Sequence, residues 1–568
     1  MGHVHHGLLE RNGFQCLPAA SGPTLTFGSS TRPQTTGAGS KHTATARKTT
    51  IFAPCTIPGL AQAGTPTPTS ATAVCVVRVS GPDALPILHT LTQSPRPTTA
   101  TATATSRSYQ PNHLYVRDLY HPSTRHLLDV NALVAYFAPP RSFTGEDVVE
   151  LHVHGSTAVV RGVVDALATG FGTNVQPAGP GEFTRRAFTN GKMDLLQVES
   201  LADVLQSETA AQKDAALGVY TRGDELIRGW RAGMIAAVAR VEAVIDFGED
   251  DEIGAQEVRH AVEDVRMLRD AIIAQLHAVP SAEIVQDGLR VVLLGAPNVG
   301  KSSLLNLLLR DDHAIVSPLP GTTRDVLERA VDIGGHKVVL VDGAGLREQR
   351  QSRQSRSSHD ALEAEGMGRI VTRARDAHVV VVMDAYGDDG GDENARVREE
   401  VARLAAAGKE MVWVTNKVDL ATSSNSSSLS SLSSLSSLSS ERQQPSSPSH
   451  ILMSCRTGAG VDTFLRRLRE VVEEKTGQRR GATTMNAGTN AGTNATVPVM
   501  YKARHVKHLR CAVQALERFL ETVERDNDRL ELAAEELRVA MAELGEITGA
   551  IDLEDVLDDM MSKFCIGK

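Results

Sequence analysis

The sequence has few aromatic residues, few cysteines and no long apolar run. Aromatic side chains make up 4% of the 568 residues, which is typical of helical proteins with cores of Ala, Leu and Val. No apolar stretch reaches the roughly 18 residues of a membrane-spanning helix, so the sequence predicts no membrane span. The 6 cysteines lack the close spacing of a metal site, which predicts free thiols in a reducing compartment rather than disulfides.

The chain also lacks an excess of positive charge. Its formal net charge of −9 excludes a protein that coats nucleic acid through its overall charge. Any RNA contact would need a partner protein or a local basic patch, for which residues 503–510 (ARHVKHLR) are the best candidate. The same residues fit the solvated start of a helix equally well.

Acidic residues are nearly absent from residues 1–49, where Glu10 stands alone. The segment is rich in Ser, Thr, Gly and Pro and sparsely basic, as organellar transit peptides are. We therefore predict that residues 1–49 are a transit peptide that directs the chain to the mitochondrial matrix. A plain disordered extension is the alternative.

A phosphate-binding loop is predicted at residues 295–302 (GAPNVGKS). The loop follows an apolar run that predicts a buried strand at 290–294, and an apolar helical stripe follows it. This strand, loop and helix are the context that a P-loop requires. Its glycines let backbone amides converge on phosphate. Lys301 would reach the β- and γ-phosphates, and the Ser302 hydroxyl would bind Mg²⁺.

Further guanine-nucleotide motifs follow in order, most of them directly after a predicted strand. Residues 321–325 (GTTRD) offer a threonine to Mg²⁺, and residues 342–345 (DGAG) place a carboxylate behind the metal and an amide at the γ-phosphate. Residues 416–419 (NKVD) end in Asp419, whose carboxylate can accept from guanine N1–H and the 2-amino group. Residues 454–456 (SCR) suit a base-contacting loop. The ordered set predicts a GTPase domain.

The pattern along the chain predicts four further regions. Short apolar runs separated by turns predict an α+β domain at 50–195, and helical periodicity predicts a helical domain at 196–288. The G domain is predicted at 289–475, with a disordered Ser-rich insert at 423–449. A linker and a second helical part are predicted at 476–568, so we expect the G domain to be inserted into one helical domain.

Several motifs resemble the MnmE (TrmE) family of tRNA-modifying GTPases in its mitochondrial form. They are the GxPNxGKS loop, residues 142–151 (SFTGEDVVEL), 180–188 (PGEFTRRAF) and 191–195 (GKMDL), and the terminal CIGK at 565–568. The resemblance covers residues from about 50 to the end, apart from the inserts.

The resemblance implies a multidomain α/β plus α fold. Its parts are an N-terminal α+β folate-binding and dimerisation domain, an all-α helical domain and an inserted Ras-like P-loop G domain. It implies a homodimer that works with an FAD-containing MnmG-type partner. The implied product is a C5 aminomethyl-type modification of the wobble uridine, U34, in mitochondrial tRNAs. The implied one-carbon donor is 5,10-methylene- or 5-formyl-tetrahydrofolate.

The resemblance also implies roles for individual residues. Glu363 matches a water-orienting glutamate, with a surface helix carboxylate as the alternative, and Cys565 matches a thiol near the folate. The implied folate contacts are Arg78, Glu150, Lys192 and Lys568. The implied metal ligands are Ser302 and Thr323 for Mg²⁺ and Asn298, Ser317, Leu319 and Thr322 for K⁺. The predicted GTP-binding residues are Asn298, Val299, Gly300, Lys301, Ser302, Ser303, Ser317, Leu319, Pro320, Gly321, Thr322, Thr323, Asp342, Gly343, Ala344, Gly345, Asn416, Lys417, Asp419, Ser454, Cys455 and Arg456.

Some positions depart from the family pattern. Gly343 replaces a usual threonine, and extra residues within 349–359 lie just before Glu363. Extra residues also lengthen 59–73, and Cys455 with Arg456 replaces the commoner Ala-Lys. Two rival functions are a ribosome-assembly GTPase with the same P-loop and a scaffold that does not hydrolyse GTP. An acidic helical segment and CIGK, rather than an RNA-binding module, follow the G domain, which disfavours the first rival.

Overall fold

The computed structural model describes residues 49–56, 72–94, 108–247, 251–296, 298–310, 315, 328–341, 373–387, 392–423, 450–477, 500–525, 529–549 and 567. The chain forms two compact units, the first from 1–193 and 552–568 and the second from 194–551. Residues 1–48 of the predicted transit peptide and residues 424–449 of the predicted insert lie outside the described residues.

In its described residues, the first unit contains a six-stranded sheet and three helices. The sheet has the order β3-β4-β5-β2-β1-β6 and is antiparallel except for the β1–β6 pair. The strands are β1 (Thr50–Pro54), β2 (Val74–Ser80), β3 (His113–Tyr120), β4 (Leu127–Phe137), β5 (Val148–His154) and β6 (Val175–Pro177). The helices are α1 (Ala84–Leu91), α2 (Thr157–Gly170) and α3 (Glu182–Thr189).

The two faces of this sheet differ, because side chains alternate along each strand. One face packs its apolar residues, such as Val77 and Leu151, against α1 and α2 to form the main core of the unit. On the opposite face, Ile51 and Ala53 of β1 form a smaller cluster with Phe183 of α3. The opposite face therefore has room for polar side chains from β2 and β5.

The second unit contains a helical bundle. Its helices are α4 (Leu195–Gln206), α5 (Ala210–Phe247), α6 (Asp251–Asp287), α11 (Ala503–Arg525) and α12 (Leu530–Thr548). Their shared core contains Trp230 and Met234 from α5 together with Leu516 and Leu537 from the later helices. Segments on both sides of the G domain sequence thus build one core, because neither segment alone can cover its apolar face.

A second six-stranded sheet lies between these helices in the sequence. Its order is β12-β11-β10-β7-β9-β8, and it is parallel except for the β8–β9 pair. Its strands are β7 (Leu289–Leu294), β8 (Glu328–Ile333), β9 (His336–Val341), β10 (Val379–Ala385), β11 (Glu410–Asn416) and β12 (His450–Leu452). Its helices are α7 (Lys301–Arg310), α8 (Asp392–Ala406), α9 (Asp419–Ser423) and α10 (Val461–Lys475). The strands expected from the apolar runs before the P-loop and before both base-contacting motifs are confirmed.

Two further observations concern the composition-based predictions. Within the described ranges, no helix combines the length and apolarity needed to cross a membrane. Cys511 is disulfide-bonded, so the prediction of free thiols throughout is wrong there. Spacing along the chain could not reveal this bond, since folding can bring together cysteines that are distant in sequence. Cys75 and Cys455 are free thiols.

Candidate functional site

The P-loop lies at the carboxyl end of β7, where open parallel sheets place their ligands. Asn298 and Gly300 both have positive φ angles, of 62° and 110°, so the loop curls tightly before α7 begins at Lys301. The Lys301 Nζ donates to the carbonyl oxygens of Gly295 and Ala296 at 2.8 Å each. The ammonium therefore lies within the loop, and the hydroxyl-bearing Ser302 follows it in the first turn of α7.

The base-contacting motifs are joined to the P-loop by one buried amide. Asn416 is 2% exposed, and its Nδ2 donates to the Val299 carbonyl at 2.7 Å. Its Oδ1 accepts from the Cys455 backbone amide at 3.0 Å. A Cβ atom at Gly300 would lie 2.1 Å from Asn416 Nδ2, so the loop requires glycine there. Three predicted GTP-binding segments thus meet at Asn416.

The carboxylate predicted to recognise guanine is held in place by the neighbouring loop. Ser454 Oγ donates to Asp419 Oδ1 at 2.7 Å, and Ser454 itself is fully buried. The Arg456 guanidinium is 84% exposed and lies 3.9 Å from Asp419, so it contributes little. Burial raises the pKa of the Cys455 thiol above its usual value, against the lowering effect of the Asn416 hydrogen bond. Cys455 is therefore a neutral thiol at neutral pH.

The remaining predicted nucleotide and metal residues lie outside the described residues. They are Ser317, Leu319, Pro320, Gly321, Thr322, Thr323, Asp342, Gly343, Ala344, Gly345 and Glu363. The structure therefore brings together the P-loop and the base-contacting loops, while the switch residues stay predictions. Among the described residues, no group of three or more His, Cys, Asp or Glu side chains could hold a metal ion.

A second candidate site lies on the opposite sheet face of the first unit. Arg78 of β2 pairs across the strands with Glu150 of β5, and its Nη2 donates to the Glu150 carboxylate at 2.9 Å. The Arg78 guanidinium lies 5.3 Å from the ring centre of Phe143 and 5.7 Å from that of Phe183. Among the residues that the structure describes, its buried Nη1 has no hydrogen-bond partner. This site presents an unsatisfied donor beside two aromatic rings.

The other two predicted folate residues belong to segments near this pair. The exposed Lys192 donates from Nζ to the Pro140 carbonyl at 2.8 Å. Lys568 and Cys565 lie outside the described residues, but Gly567 is described. The Gly567 carbonyl accepts a hydrogen bond from Cys55 Sγ at 3.2 Å, just beyond β1, in which Ala53 is the partner of Arg78.

Sequence reasoning missed the side chains that frame Arg78. Phe143 and Phe183 lie within two of the motifs that carry the family resemblance, and Arg186, which bonds to Glu146, lies in the same motif as Phe183. Membership of these motifs was therefore the sequence signal that could have identified the residues around Arg78. Their residues could not be sorted into ligand contacts and supporting residues until the strand pairing was known.

The basic segment 503–510 is mostly occupied by internal contacts. Arg504 Nη2 donates to Glu199 at 2.9 Å and also to the Ile547 carbonyl at 3.0 Å, and His505 Nε2 bonds to Glu199. His508 pairs with Glu543 at 2.8 Å. Burial opposes ionisation of Glu199, but the His505 hydrogen bond and neighbouring charges prevail and lower its pKa to about 2. Arg504, His505 and His508 thus belong to a structural network, while Lys507 and Arg510 of the same segment are exposed.

Comparisons with known proteins agree with this geometry. A family model described as the MnmE helical domain matches residues 195–565, and one described as the GTP-binding protein TrmE N-terminus matches residues 61–192. Human mitochondrial 5-taurinomethyluridine-[tRNA] synthase subunit GTPB3 is 37% identical over 503 residues, which cover 87% of this chain and 90% of that protein.

Bacterial and yeast relatives give similar matches. The tRNA modification GTPase MnmE of Chelativorans sp. is 36% identical over 496 residues, covering 87% of this chain and 95% of that protein. The mitochondrial tRNA modification GTPase MSS1 of Saccharomyces cerevisiae is 34% identical over 511 residues, covering 87% of this chain and 90% of that protein. The mitochondrial names of the human and yeast relatives support the predicted mitochondrial localisation.

Proposed function

This chain belongs to the MnmE/TrmE family of tRNA-modification GTPases, and we propose that it uses GTP hydrolysis to form a C5 aminomethyl-type group on the wobble uridine, U34, of mitochondrial tRNAs. An MnmG-type FAD protein would act with it, and tetrahydrofolate would supply the one-carbon unit. The observation that carries the proposal is the presence, in one chain, of the loops joined at Asn416 and a separate arginine–aromatic site at Arg78.

The residues of the first site fit a guanine nucleotide. Lys301 is held by carbonyls of the loop, so phosphate oxygens would compete for its ammonium. The Asp419 carboxylate is fixed by Ser454 and would accept from guanine. Mg²⁺ would be held by Ser302 and Thr323. K⁺ would be held by Asn298, Ser317, Leu319 and Thr322. Bound cations would neutralise the charge that develops on the phosphates, while Glu363 would orient water.

The residues of the second site fit a folate. Within the described parts of the chain the buried Arg78 Nη1 lacks a partner, and an unsatisfied buried donor is costly unless a ligand or water accepts from it. Phe143 and Phe183 offer aromatic surface beside it, on which a flat heterocycle can stack. Glu150 would accept from a pterin ring. Lys192, Lys568 and the Cys565 thiol complete the proposed site.

An exposed apolar surface supports the proposed homodimer. On the edge strand β3, Leu114 is 65% exposed and Val116 is 54% exposed, and the adjoining Leu133 of β4 is 42% exposed. Edge strands of this kind invite pairing with another chain unless they are covered. A second copy would cover these side chains in the proposed dimer.

The proposal is tested by mass spectrometry of mitochondrial tRNA nucleosides from cells that lack this protein. The modified uridine should disappear, return with the wild-type gene, and stay absent with either Lys301→Ala or Arg78→Ala. Purified Arg78→Ala should still hydrolyse GTP, and wild-type turnover in K⁺ should exceed that in Na⁺ at least about tenfold. Unchanged tRNA nucleosides in the deletion cells would refute the proposed function.

A further inference from the structure

Arg186 of α3 joins three segments of the first unit through one guanidinium. Its Nη1 donates to Glu146 Oε2 at 3.0 Å and to the Thr49 carbonyl at 2.7 Å. Its Nη2 donates to Thr49 Oγ1 at 3.2 Å and to Glu182 Oε1 at 3.2 Å. The Arg186 side chain is 15% exposed, so these contacts exclude most water. Arg186 therefore ties the residue before β1 and the 142–146 loop to α3.

Two of these segments carry the rings beside Arg78. Phe143 belongs to the 142–146 loop, and Phe183 lies one helical turn before Arg186 in α3. The Arg186–Glu146 ion pair crosses from the loop to the helix. The spacing of the two rings around the Arg78 guanidinium thus depends on this ion pair.

The partner carboxylate is also fixed to the strand that bears Arg78. Ser80 of β2 donates from Oγ to Glu146 Oε2 at 3.1 Å and shares a hydrogen bond of 2.7 Å with Thr144 Oγ1. Ser80 and Thr144 are fully buried, and the Glu146 side chain is 10% exposed. Ser80 lies on the same sheet face as Arg78, two residues further along β2. Glu146 is therefore held both by Arg186 of α3 and by Ser80 of β2, so its loop is linked to the helix and to the strand that bears Arg78.

This inference rests on the proposed folate site: we propose that Arg186 is a positioning residue for that site. Four hydrogen bonds within the protein occupy the Arg186 guanidinium, so it acts through the loop and α3 and not by touching the ligand. It sets where Phe143 and Phe183 stand relative to Arg78. Loss of the Arg186 side chain would let Phe143 and Phe183 move apart around Arg78 and would weaken folate binding. The loss would not be large enough to unfold the unit.

The test is calorimetric titration of 5-formyltetrahydrofolate into the full chain. Arg186→Met should raise the Kd at least about tenfold, the size of loss known for residues that orient metal ligands. Arg186→Lys keeps the charge beside Glu146 and should recover part of the affinity. The matched control is Tyr109→Phe, which removes a buried hydrogen bond of 2.7 Å to Thr92 elsewhere in the same unit. Tyr109→Phe should lower Tm without changing the Kd.

The outcomes separate this inference from the proposed function. Wild-type protein that does not bind the folate would overturn the folate site itself. Wild-type binding with an unchanged Kd for Arg186→Met would overturn only the positioning role. Equal losses of affinity in Arg186→Met and Tyr109→Phe would show general destabilisation and would also overturn it. If Arg186→Met does not fold, Arg186→Lys and Glu146→Gln, measured against the same control, decide the question.

Discussion

Gly567 occupies a backbone position that only glycine adopts at low cost. Its φ angle is 104°, and a Cβ atom there would lie 2.7 Å from the Pro54 carbonyl oxygen and 3.0 Å from Cys55 Cα. A side chain would therefore meet backbone that cannot move aside, in addition to the strain of the positive φ. The contact holds Gly567 against the end of β1 within the first unit.

We expect Gly567→Ala to displace this contact and expose the Cys55 thiol. Alkylation of Cys55, followed by mass spectrometry of its peptide, should become several-fold faster, because Cys55 Sγ loses the Gly567 carbonyl. Gly477→Ala is the control, since Gly477 also has a positive φ, of 68°, but its Cβ would meet nothing within 4 Å. Unchanged Cys55 labelling in Gly567→Ala would show that the tail adapts to a side chain.

At the scale of single elements, α4 begins with a capping box whose carboxylate resists ionisation. Asp194 accepts from the Gln197 amide at 2.7 Å, while the Gln197 side chain accepts from the Asp194 amide at 3.1 Å. Burial, and secondarily the neighbouring Asp224, outweigh this capping bond and raise the pKa of Asp194 to about 6. Burial therefore favours a protonated Asp194 in the folded state, although the capping bond itself favours the ionised carboxylate.

The sign of the resulting pH dependence follows from the raised pKa. A carboxyl group with a higher pKa in the folded state stabilises below its unfolded pKa, and this contribution is lost as pH rises through about 6. Asp194→Asn keeps a capping oxygen but cannot ionise. In calorimetry we expect this variant to melt a few degrees above wild type at pH 8, with the difference shrinking towards pH 5. A pH-independent difference would contradict the raised pKa.

Sequence patterns predicted the elements better than the contacts between them. The P-loop, the strand before it and the base-contacting loops follow from short local motifs, because each motif forms within one strand–loop unit. The link between Gly567 and Cys55 joins residues with no shared periodicity, and the Cys511 disulfide has no signal in the cysteine spacing. For the same reason, the sequence does not show that Arg504 and His505, within the candidate RNA patch at 503–510, pair with Glu199.

At the scale of the whole molecule, one buried network joins helices that are distant in sequence. Glu199 of α4 binds Arg504 and His505 of α11, and Arg504 also binds the carbonyls of Glu546 and Ile547 near the end of α12. The Glu199 side chain is 5% exposed. Removing it would leave cationic and polar groups buried without their partner, which is the costly way to break such a network.

Glu199→Ala should therefore destabilise the second unit by about 3–5 kcal/mol. Glu242→Ala is the matched control, because Glu242 also forms an ion pair between helices, with Arg538 at 2.6 Å, but that pair is about half exposed. Glu242→Ala should lower the free energy of unfolding by about 0–1 kcal/mol. Denaturant titration of both variants measures the difference, and equal losses would mean that the buried network contributes no more than a surface pair.

The shared core of the helical bundle also sets an order of events during synthesis on the ribosome. Core residues from 196–272 emerge long before those from 500–547, with all strands of the second sheet made in between. The G domain sheet is complete while the apolar faces of α4, α5 and α6 still await α11 and α12. Such uncovered faces are prone to aggregate. A nascent chain stalled before residue 500 would thus carry a finished nucleotide-binding sheet beside helices that need a chaperone.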